Sequence, residues 1–383
     1  MTDVAIIGGS VAGIQTALNL KKEGINSTVI EEHPEIGKPV HCSGLISKTG
    51  VEEAGLLEAV EESTVNKVKG ARIYSPYNSV IELKKPGFAA YVVDRALLDK
   101  KLYYKAKLEG IEFKLNSKLI SRRNDTLFLK VMNRGEIVKT KLIVGADGPH
   151  STVREMMNVK FPSNGFIHTY QARMHNHFDP DFVELHFGEF AKGFFAWIIP
   201  ESNETARVGI GVDFGINPQK RFEWFIQRRK LEGRISNDES ALIPCHAPLK
   251  NIVKDDMLLV GDAAWQTKAT SGGGLIFASL AAKLASQAIR EHLINKAPLA
   301  DYEKLCQKTI NPELELHWKL RRYLNSMNED RFDALLKKLK DSGIEKILEE
   351  HGDMDKPSRF VKKITRNPRF LGLLPEAIKF GFA

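Results

Sequence analysis

Cysteine is scarce in this chain: 383 residues contain three, Cys42, Cys245 and Cys306. Too few and too scattered for a metal-ligand set or a paired framework, they exclude a disulfide-stapled fold and point to a reducing compartment, most simply the cytoplasm. No run of roughly 18 apolar residues occurs, so no membrane-spanning helix is expected. A basic leader is missing too; the first apolar stretch reads as a strand, and no secretory signal is expected. Internal repeats, low-complexity linkers and nucleic-acid modules are likewise absent from the pattern. What is plentiful is apolar content, 43% of the chain, enough at this length for two connected domains plus an appendage. The formal net charge of +8, with no nucleic-acid module to use it, predicts an anionic membrane surface or a phosphorylated substrate.

Glycine and acid motifs carry the chemistry. Asp3 to Ile7 reads as a short apolar strand, Gly8-Gly9-Ser10-Val11-Ala12-Gly13 as a turn, and Ile14 to Lys22 as a helix. Gly8 permits the tight turn, Gly13 lets helix and strand approach, and the free N–H groups at the helix start can receive a pyrophosphate. Ser10 stands where that fingerprint prefers glycine; its small side chain should leave the turn intact on a slightly altered path. Thr28 to Ile30 forms the second strand, and Glu31 ends it roughly 20 residues past the turn, where an acid accepts hydrogen bonds from a ribose. Two further motifs follow, Ala146-Asp147-Gly148 and Gly261-Asp262-Ala263-Ala264 with Gly272-Gly273-Gly274. Met257 to Val260 is a buried-type strand that places Asp262 to accept hydrogen bonds from ribityl hydroxyls. The triple glycine opens a helix whose positive end can face the pyrimidine edge of a flavin and favour negative charge there. In this order and at these separations the motifs describe one FAD molecule wrapped by remote parts of the chain.

Organisation is interleaved rather than tandem. After Glu31 come a loop over Pro34 to Gly44 and a helical stretch around Val51 to Glu62. Alternation over Ala71 to Leu83 predicts a hairpin of a different sheet, after which Tyr91-Val92-Val93 returns toward the flavin domain and Arg95 and Asp99 open a helix. Strands follow at Ile111 to Leu115, Leu119 to Ile120, Leu127 to Met132 and Ile137 to Val144, with a turn at Asn133-Arg134-Gly135. Gly165 to Val212 is strand-like and aromatic, a sheet roofing the flavin. Gly274 to Ile289 is a long apolar helix, and helices of mixed charge follow Ala300. The expected fold class is α/β. A Rossmann-type FAD-binding domain (1–70, 91–160 and 250–298) is interleaved with an antiparallel-sheet substrate domain (71–90 and 161–249), and C-terminal helices occupy 299–383.

The ordered set Gly8 to Gly13, Glu31, Pro39-Val40-His41-Cys42-Ser43-Gly44, Arg95, Ala146-Asp147-Gly148 and Gly261 to Gly274 resembles the geranylgeranyl reductase family of flavoproteins. It is most similar to the archaeal branch that saturates digeranylgeranylglycerophospholipids, and the likeness runs from the N-terminus to about residue 290. The Asp147 and Asp262 motifs are shared with flavin aromatic hydroxylases, so they place only the superfamily and imply a para-hydroxybenzoate hydroxylase-like arrangement. The Pro-Val-x-Cys-x-Gly loop selects the reductases. Gly193 to Pro200 is similar to that family's aromatic, tryptophan and proline motif, which implies a substrate cavity lined by Phe194, Phe195, Trp197 and Pro200. Phe195 stands in place of a tyrosine-like residue, and Trp265 and Ala269 stand where relatives often have glycine and proline. The resemblance further implies FAD contacts from Ala12, Glu31, Cys42, Ser43, Gly44, Arg95, Asp262, Gly274 and Leu275, alongside Gly273, with a backbone contact near the adenine from Leu119. Arg95, opening a helix beside Asp99, can also be read as half of a surface ion pair.

The implied reaction needs a hydride and a proton together. An isolated trisubstituted alkene has no carbonyl to stabilise charge, so hydride delivery from reduced flavin N5 must be coupled to proton delivery at the other carbon. Cys42 is the first candidate donor, with His41 and an ordered water in competition; its thiol can equally be a small hydrophobe packed on the flavin. The implied partners are an isoprenoid lipid and an electron donor, either NAD(P)H or a reduced ferredoxin-like protein, since no separate nicotinamide fingerprint appears. No metal and no nucleic acid are expected. Lys356, Arg359, Lys362, Lys363, Arg366 and Arg369, set among Phe360, Ile364, Phe370, Leu371, Leu373 and Leu374, can lie on an anionic interface, giving a cytoplasmic protein peripheral at the inner membrane face. The same stretch can be a basic solvated helix. Two other functions stay open: a flavin monooxygenase of the same fold, against which the cysteine loop argues, and a redox-inactive FAD-binding protein.

Overall fold

Three sheets and a C-terminal run of helices make up the computed structural model, which describes residues 2–132 and 134–365. The strand Thr2–Ile7 is placed by its apolar run: Val4, Ala5 and Ile6 are wholly buried. It pairs in parallel with Ser27–Ile30 on one side and Arg134–Gly145 on the other. Glu112–Lys114 and Met257–Leu259 extend the parallel set at its two flanks. These strands read as near-continuous apolar runs because helices cover them. The helices Val11–Lys22 and Leu275–Asn295 pack on each other through small residues, and Ser286 Oγ donates to Thr16 O at 3.2 Å. Gly8 makes the turn at φ 106°, where a Cβ would stand 2.2 Å from Ala146 O; one on Gly13 would stand 1.9 Å from Gly8 O. Neither position admits a side chain.

The second sheet has seven strands in the order Arg234–Pro244, Phe166–His175, Thr205–Asp213, Ala196–Pro200, Phe182–His186, Gly70–Tyr74 and Val80–Lys84. All neighbours are antiparallel except Phe182–His186 and Gly70–Tyr74, which run parallel. The hairpin expected over 71–83 does form here, away from the sheet of its neighbours in sequence. Helix Pro218–Arg229 covers one face, setting Phe222 and Phe225 against Ala196, Ile198, Val208 and Ile210. The other face presents Phe194, Phe195, Trp197 and Ile199 to Val68, Ala90 and Val92 of a third, three-stranded sheet.

Some expectations change. The helical stretch around Val51 to Glu62 is two helices, Lys48–Glu53 and Leu57–Ser63, broken where Gly55 takes φ 68°. Tyr91-Val92-Val93 is the middle strand of the small third sheet, between Leu45–Ser47 and Thr64–Val68. Helix Pro218–Arg229, started by Asn217 accepting from the Lys220 N–H and by Pro218, had no counterpart in the sequence reading. Beyond Ala300 the expected helices are present, from Asp301–Thr309 to Pro357–Thr365. Asn133, Arg366, Arg369, Phe370, Leu371, Leu373, Leu374 and the side chain of Ile364 lie outside the described residues.

Candidate active site

Glu31 follows directly on Ser27–Ile30 and turns back onto the glycine turn. Its Oε2 accepts the Gly9 N–H at 2.7 Å, and its Oε1 accepts the His33 N–H at 2.9 Å and lies 2.6 Å from His33 Nδ1. Oε2 keeps a lone pair for a further donor. Ser10 precedes the helix in extended conformation without a side-chain cap, so the first-turn N–H groups around Val11, Ala12 and Gly13 stay available to an anion. Leu119 is buried on Ser117–Arg123, a strand tied to this corner by the Ser117 N–H donating to Glu31 O at 2.8 Å.

The two later aspartates differ. Asp147 stands two residues past the strand Arg134–Gly145, and its carboxylate points inward: Oδ1 accepts Ser151 Oγ at 2.6 Å and Oδ2 the Val153 N–H at 3.1 Å, which anchors the helix Thr152–Met156. The Asp262 carboxylate receives no hydrogen bond from any described residue, and burial pushes it up to about 6, tempered by Arg95. It lies under the glycine loop, since a Cβ on Gly274 would stand 2.9 Å from Asp262 Oδ1. Gly274 then starts the helix ending at Asn295, again without a side-chain cap, so Gly273, Gly274 and Leu275 line a bare positive helix end.

Cys42 and Arg95 meet in a cleft of about 610 Å³, whose opposite wall carries Gln171, Arg173, Arg207 and Glu239 of the seven-stranded sheet. The cysteine loop is held from both sides. Cys42 Sγ accepts the Gly44 N–H at 3.4 Å, and Cys42 O accepts Arg207 Nη1 at 3.3 Å. Gly44 takes φ 72°, and a Cβ there would stand 2.3 Å from Val93 O, so Ser43 and Gly44 bring their backbone close to the Ala90–Val93 strand. Arg207 is anchored in turn by Glu201, whose Oε1 accepts its Nε at 2.8 Å while Oε2 accepts Arg173 Nε at 2.6 Å. Burial alone would raise the Glu201 carboxyl, but the two arginines outweigh it and hold it below the usual range.

Arg95 is no surface pair. It is largely buried, with Nη2 donating to Asp99 at 3.0 and 3.2 Å, and its Nε is buried without a partner among the described residues. Burial pulls the guanidinium down, yet Asp99 and the adjacent Cys42 thiol outweigh it, so the charge is retained. His41 does not line the cleft; its Nδ1 lies 4.0 Å from Glu239 Oε2, and burial together with His33 holds the imidazole below its ordinary value.

Phe194 and Phe195 stack at 4.2 Å with 17° between their planes, and Trp197 lies 6.0 Å from Phe195. None of them lines the cleft; they form the apolar layer between the second and third sheets with Ile167, Ile199 and Cys245. Burial pushes the Cys245 thiol up to about 12. Pro200 stands at the far end of its strand, where its carbonyl accepts Asn66 Nδ2 at 3.0 Å. Trp265, at φ 58°, fills the space that Gly165 leaves: a Cβ on Gly165 would stand 2.4 Å from Trp265 Cζ3. The sequence reading missed Gln171, Arg173, Glu201, Arg207 and Glu239. The available signal was polar side chains two apart in otherwise apolar strands, such as Gln171 and Arg173, which share one face.

Groups left open here match a flavin dinucleotide: the Asp262 carboxylate suits ribityl hydroxyls, the partnerless Arg95 Nε an acceptor, and the two uncapped helix starts anionic groups. Among the described residues no helix is long and apolar enough to cross a membrane. The sequence pattern of the FAD binding domain family matches residues 1–229. An uncharacterized protein of Methanocaldococcus jannaschii is 32% identical over 378 residues, covering 95% of each chain. The digeranylgeranylglycerophospholipid reductase of Methanococcus vannielii is 27% identical, covering 98% of each. A geranylgeranyl bacteriochlorophyll reductase-like protein of Thermoplasma acidophilum, solved as a crystal structure, matches with a TM-score of 0.86 at 25% identity over 99% of both chains. Likeness of sequence and fold along the whole chain thus joins the glycine turn, Glu31 and Asp262 to one assignment: the chain belongs to the FAD binding domain family, among its geranylgeranyl reductase flavoproteins, with FAD as cofactor.

Proposed function

We propose that this protein is an FAD-dependent reductase that saturates carbon–carbon double bonds of geranylgeranyl chains carried by archaeal-type membrane glycerophospholipids. The observation that carries the reading is the Cys42 thiol beside the buried Arg95 guanidinium in the cleft, in a chain similar from end to end to a digeranylgeranylglycerophospholipid reductase.

Several residues would hold FAD. The helix start after Gly8, with Ser10, Ala12 and Gly13, would take the pyrophosphate. Glu31 would accept from the adenosine ribose through the remaining lone pair of Oε2, with the Leu119 backbone beside the adenine. Arg95 would offer its free Nε, and Asp262 would accept from the ribityl chain. Gly273, Gly274 and Leu275 would meet the pyrimidine edge, and Ser43 and Gly44 one face of the ring. Asp147, its carboxylate occupied by Ser151 and Val153, would contribute through its backbone.

Reduced FAD, when bound, supplies the hydride. The chain supplies the rest. Cys42 holds the proton on Sγ and delivers it to the alkene carbon that does not receive hydride; the negative charge left on sulfur is countered by Arg95. Arg207 fixes the loop carbonyl, so the thiol keeps its aim. His41 is less suited, because its imidazole is held neutral near physiological pH. The electron donor would be NAD(P)H or a reduced ferredoxin-like protein, and the enzyme would work in the cytoplasm, peripheral at the inner membrane face. Flotation with anionic liposomes tests the last point: protein that stays in the soluble fraction refutes it.

The reaction is tested anaerobically. The purified flavoprotein is reduced with dithionite, a geranylgeranylated glycerophospholipid is added, and flavin reoxidation and lipid mass are followed. Reoxidation matched by a gain of hydrogen pairs in the lipid is expected. Reduced flavin that ignores the lipid but reacts quickly with oxygen in the presence of an aromatic substrate would overturn the reading in favour of a hydroxylase.

A further inference from the structure

Three consecutive residues just ahead of the triple glycine are each gripped by the C-terminal helices. Lys268 Nζ pairs with Asp355 Oδ1 at 2.6 Å, Ala269 O accepts Arg321 Nη1 at 3.2 Å, and Thr270 Oγ1 lies 2.6 Å from His317 Nδ1. His317 and Arg321 sit on the helix Asn311–Asn325, and Asp355 directly precedes the helix Pro357–Thr365. All four side chains are buried, Lys268 at 6% exposure and Asp355 at 3%. The second oxygen of Asp355 accepts Ser47 Oγ, the cap of the helix Lys48–Glu53, and its carbonyl lies 3.2 Å from His317 Nε2. Burial and the Lys268 ammonium push His317 down to about 4, so it adds no charge. Lys268 and Asp355 therefore form one ion pair where this segment meets the glycine loop, and the Arg321 guanidinium on Ala269 O is a second, separate cation, left unchanged in every variant below.

Lys268 touches that loop with both backbone and side chain. Its N–H donates to Gly273 O at 3.1 Å, and its carbonyl accepts the Gly272 N–H at 2.8 Å. A Cβ on Gly273 would stand 2.8 Å from Lys268 Cε and 3.1 Å from Nζ. The ammonium is thus packed against the loop that opens the helix Leu275–Asn295, the element assigned above to the pyrimidine edge.

We propose that Lys268 is a positioning residue for the flavin: its buried ammonium, balanced by Asp355 from the C-terminal helices, sets how readily the cofactor at Gly272 to Gly274 accepts negative charge. The inference rests on the flavin-site reading. Reduction of FAD takes up two electrons and one proton and leaves one negative charge on the ring, so a nearby fixed charge shifts that equilibrium. While the pair is intact its two charges largely cancel; removing one partner leaves the other uncompensated in a buried setting, where a single charge acts strongly. Two helices remote in sequence from the ring would thereby govern its redox equilibrium.

The test is a reductive titration of the FAD-loaded protein against a reference dye, comparing wild type, Asp355→Asn, Lys268→Met and the double variant, each checked for fold by circular dichroism and for flavin content by absorbance. At fixed potential, Asp355→Asn should move the ratio of reduced to oxidised flavin about tenfold up and Lys268→Met about tenfold down, each about 30 mV for a two-electron couple. The double variant should return close to wild type. A purely structural pair would give shifts of one sign or none, and either result in folded, FAD-loaded variants overturns the proposal. Asp355→Ser and Lys268→Gln replace any single variant that does not load FAD, with the same criterion. Wild-type protein that binds no FAD would instead remove the flavin-site reading itself.

Discussion

Asp262→Asn should stabilise the empty protein and weaken its hold on FAD. In the folded chain burial pushes this carboxyl up to about 6, against an ordinary value of 3.8. Because the folded value is the higher one, the flavin-free protein holds this proton more tightly than the unfolded chain does. Its contribution to stability is complete below the unfolded value and is lost as pH rises through the folded one. Above about 6 the charged carboxylate costs the fold about 3 kcal/mol, at 1.36 kcal/mol for each pKa unit. Asparagine keeps the shape and has no charge to bury. Flavin-free Asp262→Asn should therefore exceed flavin-free wild type by up to about 3 kcal/mol at about pH 7.5, roughly 4 °C in Tm at this chain length, and match it at about pH 4. With FAD bound that advantage is largely offset. A carboxylate accepting from ribityl hydroxyls makes a charge-assisted bond of about 1.5–3 kcal/mol, so the variant should bind FAD about ten- to a hundredfold more weakly. Melts by circular dichroism across about pH 4 to 8, with and without saturating FAD, and a fluorescence titration of FAD check both halves. A flavin-free variant that melts at or below wild type near neutral pH, or a difference that ignores pH, would show that this carboxylate is not held out of water.

Cys42→Ser should slow lipid-driven reoxidation of reduced flavin by about 10²–10⁴-fold in single-turnover kinetics while leaving dithionite reduction unchanged; an unaltered rate assigns the proton to another group. Arg207→Met leaves Glu201 with Arg173 alone in a buried setting and should cost about 3 kcal/mol by chemical denaturation, a loss under about 1 kcal/mol meaning that water reaches the carboxylate. Since Glu201 is held below its ordinary value of 4.5, the stability that its arginines confer should persist above that pH and disappear as acid titrates it, visible as a steeper acid unfolding in wild type than in Arg207→Met. Gly13→Ala puts a methyl 1.9 Å from Gly8 O and should yield protein without bound flavin, read from the ratio of flavin to protein absorbance.

The parallel sheet around Thr2–Ile7 could be read from the sequence because an apolar run, a glycine turn and an apolar helix leave one local solution. Asp262 was legible for the same reason, standing just after the buried strand Met257–Leu259. The pairing of Arg95 with Asp99 followed from helical spacing, but its burial did not, since that depends on the Cys42 loop folding over it. The break at Gly55 was hidden because Val51 to Glu62 keeps helical periodicity on both sides. Arg207 with Glu201 and Lys268 with Asp355 were out of reach for a different reason. A charge inside an apolar stretch reads as an exposed position, and the partner that buries Lys268 stands 87 residues further on. Local pattern shows which residues seek the interior; it carries no record of who meets them there.

One parallel pairing has a bearing on how the chain is made. Gly70–Tyr74 finds its neighbour Phe182–His186 about 110 residues later, and the first sheet lacks Met257–Leu259 until two thirds of the polypeptide exists. A growing chain on the ribosome would therefore carry an early hairpin with a bare edge and an N-terminal sheet with an unfilled flank at the same time. Both are adhesive surfaces, and non-local pairings close slowly. Neither sheet can be cut out as a self-sufficient fragment, and fragments ending before residue 250 should aggregate rather than bind flavin. The two layers form one cooperative unit because the chain, threading back and forth between them, finishes neither before it has nearly finished both.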